Sequence, residues 1–342
     1  MNLLKKSSNL LFVLKYNKIM KNNFKKAFSL FEISIAILIV GILTAAISKG
    51  VDLAYDMRLA TARSLTDKAP MYGIDNLELW LETTSKESLA TGTASFVNVE
   101  NPADKQAIGR WNDLNPTKAN SSDLNPVTFN PIYKNPALQP TLASQPLYIK
   151  DGINGLPALW FDGANDHIAS TNNFSIINNF TVFIVGFPQA SCIKNTVGNV
   201  GTSNQKYIFY PQYGDGVFPY NNSAGAGVSL CENFIAPVEH TSDYMPYVIQ
   251  NSRVIKKPIQ FTLKYSNRKP TLYLNSTESY SGNASTKNVF PSLTFAGNIS
   301  AGDNYGYFKG YIGEIIVYST DLSDNDRKLI ETYLIEKWRI KL

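Results

Sequence analysis

The chain has 342 residues, of which 44% are hydrophobic, 17% charged and 12% aromatic, with two Cys and two His. That length can bury a sizeable core without disulfide staples, and the ordinary apolar content with few charges excludes a disordered tail protein and a multi-span membrane protein. The formal charge of +5 belongs to the start: seven of the 32 basic residues and no acid lie in 1–27, leaving 25 basic against 27 acidic residues beyond. A neutral to slightly acidic body offers no electrostatic footprint for a phosphate backbone, so nucleic acid is excluded as a partner.

The first predicted element is Ala27 to Ser48, 22 residues with one charge, Glu32. At about 1.5 Å per residue it covers about 33 Å, enough for a bilayer core of about 30 Å. The lysines before it place residues 1–27 in the cytoplasm and everything after Lys49 outside. A carboxylate among Ile and Leu costs about 3 kcal/mol on insertion scales and therefore needs a partner. The run Lys25-Lys26-Ala27-Phe28-Ser29-Leu30-Phe31-Glu32, followed by apolar residues, resembles the cleavage and methylation segment of type IV pilins and type II secretion pseudopilins. Ala27 stands where that family usually has Gly. The resemblance implies that a prepilin peptidase cuts between Ala27 and Phe28, that Phe28 becomes the N-methylated terminus, and that Glu32 pairs with the terminal amine of a neighbouring subunit. It further implies other pilin or pseudopilin subunits and membrane lipid as partners, and a single-pass location in a bacterial inner membrane, with display on a pilus or the cell surface as the further expectation.

Val51, Tyr55, Leu59, Ala62 and Leu65 then recur at helical spacing, and Pro70 with Gly73 ends the pattern. From Ile74 the signals change to short apolar runs between Asn, Gly, Pro and Ser, which predict strands joined by turns. Strand candidates are Phe180 to Phe187, Gln260 to Tyr265, Thr271 to Asn275, Leu293 to Ala296 and Tyr311 to Tyr318. Ser323 with Asp326 predicts the start of a closing helix, in which Ile330, Tyr333, Leu334 and Lys337 make a mixed face.

Four segments around Trp80, Trp111, Trp160 and Gly310-Tyr311-Ile312-Gly313-Glu314, followed by that helix, resemble the concanavalin A-like, laminin G-like jelly-roll domains of bacterial surface proteins. The expected fold is thus mainly β: a pilin-type transmembrane helix, then an antiparallel β-sandwich with a C-terminal helix. The expected divisions are a basic leader at 1–27, the helix at 28–72 and the sandwich at 73–342. The four Trp are expected to fill the core rather than to stack on sugar.

Two carboxylates suited to glycoside hydrolysis are not evident. Glu314 stands alone in its strand and is read as a solvated or turn-linked residue, the two His lie far apart, and no Gly-x-Ser-x-Gly occurs. The expectation is that the chain is not an enzyme. No cofactor is required; calcium is the one candidate, since jelly rolls of this class often bind it, with Asp162, Asn165, Asp166 and Asp303 as its residues. Cys192 and Cys231 are 39 positions apart, and an exported location permits their pairing without requiring it. The expected function is a minor pilin or pseudopilin-like subunit with an exported lectin-like head for adhesion, taking a glycan or a surface protein. The alternatives are a membrane-anchored carbohydrate-binding module that does not polymerise, and a surface glycoside hydrolase.

Overall fold

The computed structural model describes residues 30–116, 135–170, 176–193, 205–212, 222–241, 246–297 and 306–341. Ala27, Phe28 and Asp303 lie outside the described residues, and of Glu32 only the backbone, within a helix, is described. The chain divides into two units, Met1–Ala54 and Tyr55–Leu342.

One helix, Leu30–Thr66, crosses that division. Its portion in the first unit is long and apolar enough to cross a membrane, and Leu30, Ile37, Leu38, Val40, Ile42 and Ile47 on it are exposed. The portion in the second unit is amphipathic: Tyr55, Leu59, Ala62 and Thr66 are buried at spacings of one helical turn, while Asp56 and Thr61 face outward. Arg63 fixes these last turns to the β-body, donating from Nε to the Thr84 carbonyl at 2.7 Å and from Nη2 to Asn101 Oδ1 at 3.0 Å.

The body is mostly β. Among the described residues, eight strands make a first sheet in the order Glu278–Ser281, Lys269–Leu274, Ile259–Ser266, Phe180–Pro188, Lys309–Tyr318, Leu156–Asp162, Leu147–Ile153, with Leu77–Glu82 beside the second half of Lys309–Tyr318. Its hairpins turn on left-handed residues, Asn154 (φ 50°) with Gly155 (φ 84°) and Asn267 (φ 47°) with Arg268 (φ 67°). Such two-residue turns match the right-handed twist of the strands they join. Asn at the first position of each supplies this conformation at low cost.

The second sheet holds ten described strands, most of them two to four residues long, ordered around Ser223–Cys231, Tyr207–Phe209 and Ile168–Ser170. Ser223–Cys231 runs antiparallel to Phe234–His240 but parallel to Asn288–Pro291. The expectation of a wholly antiparallel body is therefore corrected at this edge: Asn288–Pro291 arrives after a long connection rather than a hairpin, and only such a connection permits a parallel neighbour.

The two sheets face each other over one core, with Phe161, Val182, Ile184, Phe261, Ile315 and Val317 from the first and Trp111, Ile208, Phe209, Val228 and Phe295 from the second. The outer face of the first sheet is covered by the closing helix Asp324–Trp338. Ser323 caps it, accepting from the Asp326 N–H at 3.1 Å, and Arg339 ends it in the left-handed conformation. Ile330 and Leu334 pack on Phe183, Val185 and Ile316; burying an aliphatic side chain this fully stabilises by about 1.5–3 kcal/mol.

Candidate functional site

Strict alternation would send Ile312 and Glu314 to the same side of the sheet. The pairing shifts between them: Ile312 faces Gly186 and Glu314 faces Val185, so Gly313 is the extra residue of a β-bulge. Ile312 thus enters the inter-sheet core, and Glu314 turns to the outer face beneath the closing helix. Only Gly fits at the bulge, since a Cβ there would lie 2.5 Å from Trp338 Cη2.

The result corrects the reading of Glu314 as solvated: it is fully buried. Its partner across the strands is Glu82, and like charges directly opposite destabilise a sheet. Lys337 resolves the conflict, placing Nζ 2.9 Å from Glu82 Oε2 and 2.8 Å from Glu314 Oε2. Glu314 also accepts from Trp80 Nε1 (2.8 Å), Tyr333 Oη (2.9 Å) and Trp338 Nε1 (2.8 Å). Glu82 accepts from Thr84 N and Oγ1, Ser85 N and Ser88 Oγ. Burial alone would push Glu82 up, but Lys337 and the hydrogen bonds from Ser85, Ser88 and Thr84 outweigh it and hold the carboxyl at about 2. For Lys337, burial opposes the charge, and the two carboxylates overcome it and raise the ammonium above its ordinary value. Glu82, Glu314, Lys337, Trp80 and Trp338 are all closed off from solvent, so the pair of glutamates acts as a latch for the helix.

A second latch lies further along the same helix. Arg327 pairs with Glu331 at 2.5 Å and sits 3.8 Å over the Tyr273 ring, while Glu331 accepts from Thr262 and Ser276 at 2.7 Å each.

The acidic turn folds on itself. Asp162 Oδ1 accepts the backbone N–H groups of Ala164, Asn165 and Asp166, and Asp166 Oδ2 accepts that of Asp162. Burial, reinforced by the charge of Asp162, pushes Asp166 up to about 7. One oxygen of each carboxylate in this turn, Asp162 Oδ1 and Asp166 Oδ2, is thus already taken up by backbone amides. Among the described residues no group of three or more His, Cys, Asp or Glu gathers as a metal site.

Cys192 and Cys231 form a disulfide with Cα atoms 5.8 Å apart. Asn233 reinforces it, accepting from Cys192 N at 3.0 Å and donating to Cys192 O at 2.8 Å. Asn233 and the chain neighbours of the two cysteines, Ser191 and Glu232, line a cleft of about 290 Å³ together with Phe187, Gln189, Val254 and Lys256.

Phe187 also belongs to a row of rings. Trp338 ends the helical cover over Gly313, and beyond it Tyr311 pairs across the sheet with Trp160 on one side and Phe187 on the other. The Trp160 and Tyr311 centroids are 4.8 Å apart, those of Tyr311 and Phe187 6.2 Å. All three rings are partly exposed. Trp80, Trp111 and Trp338 are core residues; Trp160 is not, and the expectation that every Trp fills the core is corrected there.

No family model and no curated protein matches the chain. Among solved structures it is similar to domain 4 of an extracellular GH43 arabinanase from Geobacillus stearothermophilus, in complex with arabinotriose, at 14% identity and a TM-score of 0.36, covering 54% of this chain and 80% of that one. It is also similar to a Trypanosoma rangeli sialidase (12%, TM-score 0.40, 77% of this chain and 33% of that chain) and to the binding domain of Paraclostridial Mosquitocidal Protein 1 (14%, 0.39, 76% and 52%). The chain thus spans about a third of the sialidase and about half of the toxin chain. Several of these structures are sialidases, and against them the expectation that the chain is not an enzyme does not stand and is withdrawn. Likenesses this distant assign no activity.

Proposed function

We propose that the chain is a membrane-anchored, exported subunit processed like a type IV prepilin, whose concanavalin A-like jelly-roll body is a ligand-binding module. The carrying observation is the Lys25-Lys26-Ala27-Phe28 segment with Glu32 five residues into the expected mature chain, at the start of a helix on which Leu30, Ile37, Leu38, Val40, Ile42 and Ile47 are exposed. In lipid, Glu32 is tolerated when a positive terminal amine of another copy meets it. The partners are therefore a prepilin peptidase, other pilin or pseudopilin subunits and lipid. A body of this size favours a minor subunit over the repeating unit of a tightly packed fibre.

The test is surface assembly of Glu32→Ala in cells carrying the filament machinery. The proposal expects the variant to be made and inserted but missing from sheared filaments, with the parent present at few copies per filament. Undiminished assembly of the variant would defeat it.

A further inference from the structure

We infer that the end of the outer face beyond the closing helix is a subsite for a neutral, linear glycan, with sugar rings stacking on the partly exposed Trp160, Tyr311 and Phe187 and the chain continuing into the cleft beside Phe187. This rests on the reading of the body as a binding module and supplies its ligand class.

The strand register produces two parallel rows. Trp160, Tyr311 and Phe187 are cross-strand neighbours on one level. Two residues further along the same three strands stand Asp162, Lys309 and Gln189; Asp162 and Lys309 are register partners, and Gln189 donates its backbone N–H to the Lys309 carbonyl at 2.9 Å. Side chains two residues apart share a face about 7 Å apart. A strip of rings therefore runs beside a strip of hydrogen-bonding groups. A pyranose has this division, with an apolar C–H face that stacks on a ring and hydroxyls at its edge.

The strip is one residue wide and hemmed by polar groups, unlike the broad apolar patch that a protein partner covers. At the Phe187 end it opens into the cleft, whose rim offers Gln189, Glu232 and Lys256. The disulfide and the paired hydrogen bonds of Asn233 hold the Ser191 and Glu232 walls in place before any ligand arrives, and a preorganised rim lowers the ordering cost of binding. Flanking charges are of both signs, Asp162 and Glu232 beside Lys309, Lys206 and Lys256, so no single-sign field marks the strip for an anion. Tyr311 and Phe187 are inclined by 22° and Trp160 by 55° to Tyr311, so a bound chain must turn between the first ring and the next two.

The experiment uses the full chain in lipid nanodiscs and measures binding of cellohexaose, laminarihexaose, xylohexaose and chitohexaose by calorimetry. At least one should bind to the parent. Trp160→Ala should weaken it tenfold or more, Trp160→Phe should keep most of the affinity, and Glu232→Gln should weaken it a few-fold, with the thermal transition of each variant close to the parent's. Absence of binding to all four, or equal binding by Trp160→Ala, would overturn the inference, as would a loss of self-association in Trp160→Ala with no sugar dependence. Processing at Phe28 and assembly through Glu32 are read independently, so failure here leaves the anchored-subunit reading to its own test.

Discussion

Two stretches of the Lys309–Tyr318 strand, separated by the Gly313 bulge, have opposite characters on the outer face of the first sheet. From Glu314 onward the face lies under the closing helix and contains a buried Glu–Lys–Glu cluster. Before the bulge the helix no longer covers it, and it carries partly exposed aromatic rings. Charge is inside and apolar surface outside, the reverse of the ordinary arrangement, and such inversions carry the information in a structure. The covered end shows how a helix is fixed in one position on a sheet.

The comparison breaks first at Lys337. Lys337→Met should cost about 3–5 kcal/mol in denaturant unfolding, because two facing carboxylates would remain buried without their cation. Adding Glu82→Gln and Glu314→Gln should return only part of that loss, since the buried charges are removed but each amide nitrogen then faces an N–H that a carboxylate oxygen had accepted, from Thr84 or Ser85 at Glu82 and from Trp80 or Trp338 at Glu314. A Lys337→Met loss below about 1 kcal/mol would show that the cluster does not hold the helix.

Acid sharpens the same point. The Glu82 carboxyl is held at about 2 in the folded chain, against about 4.3 when unfolded. A depressed folded value means that its contribution is complete above the unfolded value and is lost as pH falls from about 4.3 toward 2. The size is about 3 kcal/mol, measured as unfolding free energy against pH. In Lys337→Met this acid-dependent loss should shrink, because the charge that lowers Glu82 is gone.

The smallest effect belongs to the end beyond the closing helix. Trp160→Ala should cost about 2 kcal/mol, about half from the tilted ring contact with Tyr311 and the rest from the buried part of the indole. A cost of several kcal/mol would make Trp160 a core residue like Trp80 and remove the contrast.

Local pattern made much of this legible. The strands Phe180–Pro188, Ile259–Ser266 and Lys309–Tyr318 fall on the apolar runs expected, and Ser323 caps the closing helix as its spacing with Asp326 predicts. Strands of two residues, such as Arg110–Trp111 and Ala137–Leu138, leave no period to detect. The latch was illegible for another reason: Glu82, Glu314 and Lys337 are far apart in sequence, and the bulge that turns Glu314 outward breaks the alternation used to assign its face. One signal was available. Lys337 sits in the stripe with Ile330, Tyr333 and Leu334, and a lysine on the packed face of a helix calls for a buried acid. The aromatic row depends on cross-strand register, which no single segment encodes.

Whether the chain joins a filament turns on one bond, Ala27–Phe28. Mass spectrometry of the N-terminus of the native protein, isolated from its membrane, tests it most directly. The predicted result is a chain beginning at N-methylated Phe28. A chain that retains Lys25 and Lys26 ahead of an uncut Ala27–Phe28 bond would contradict it.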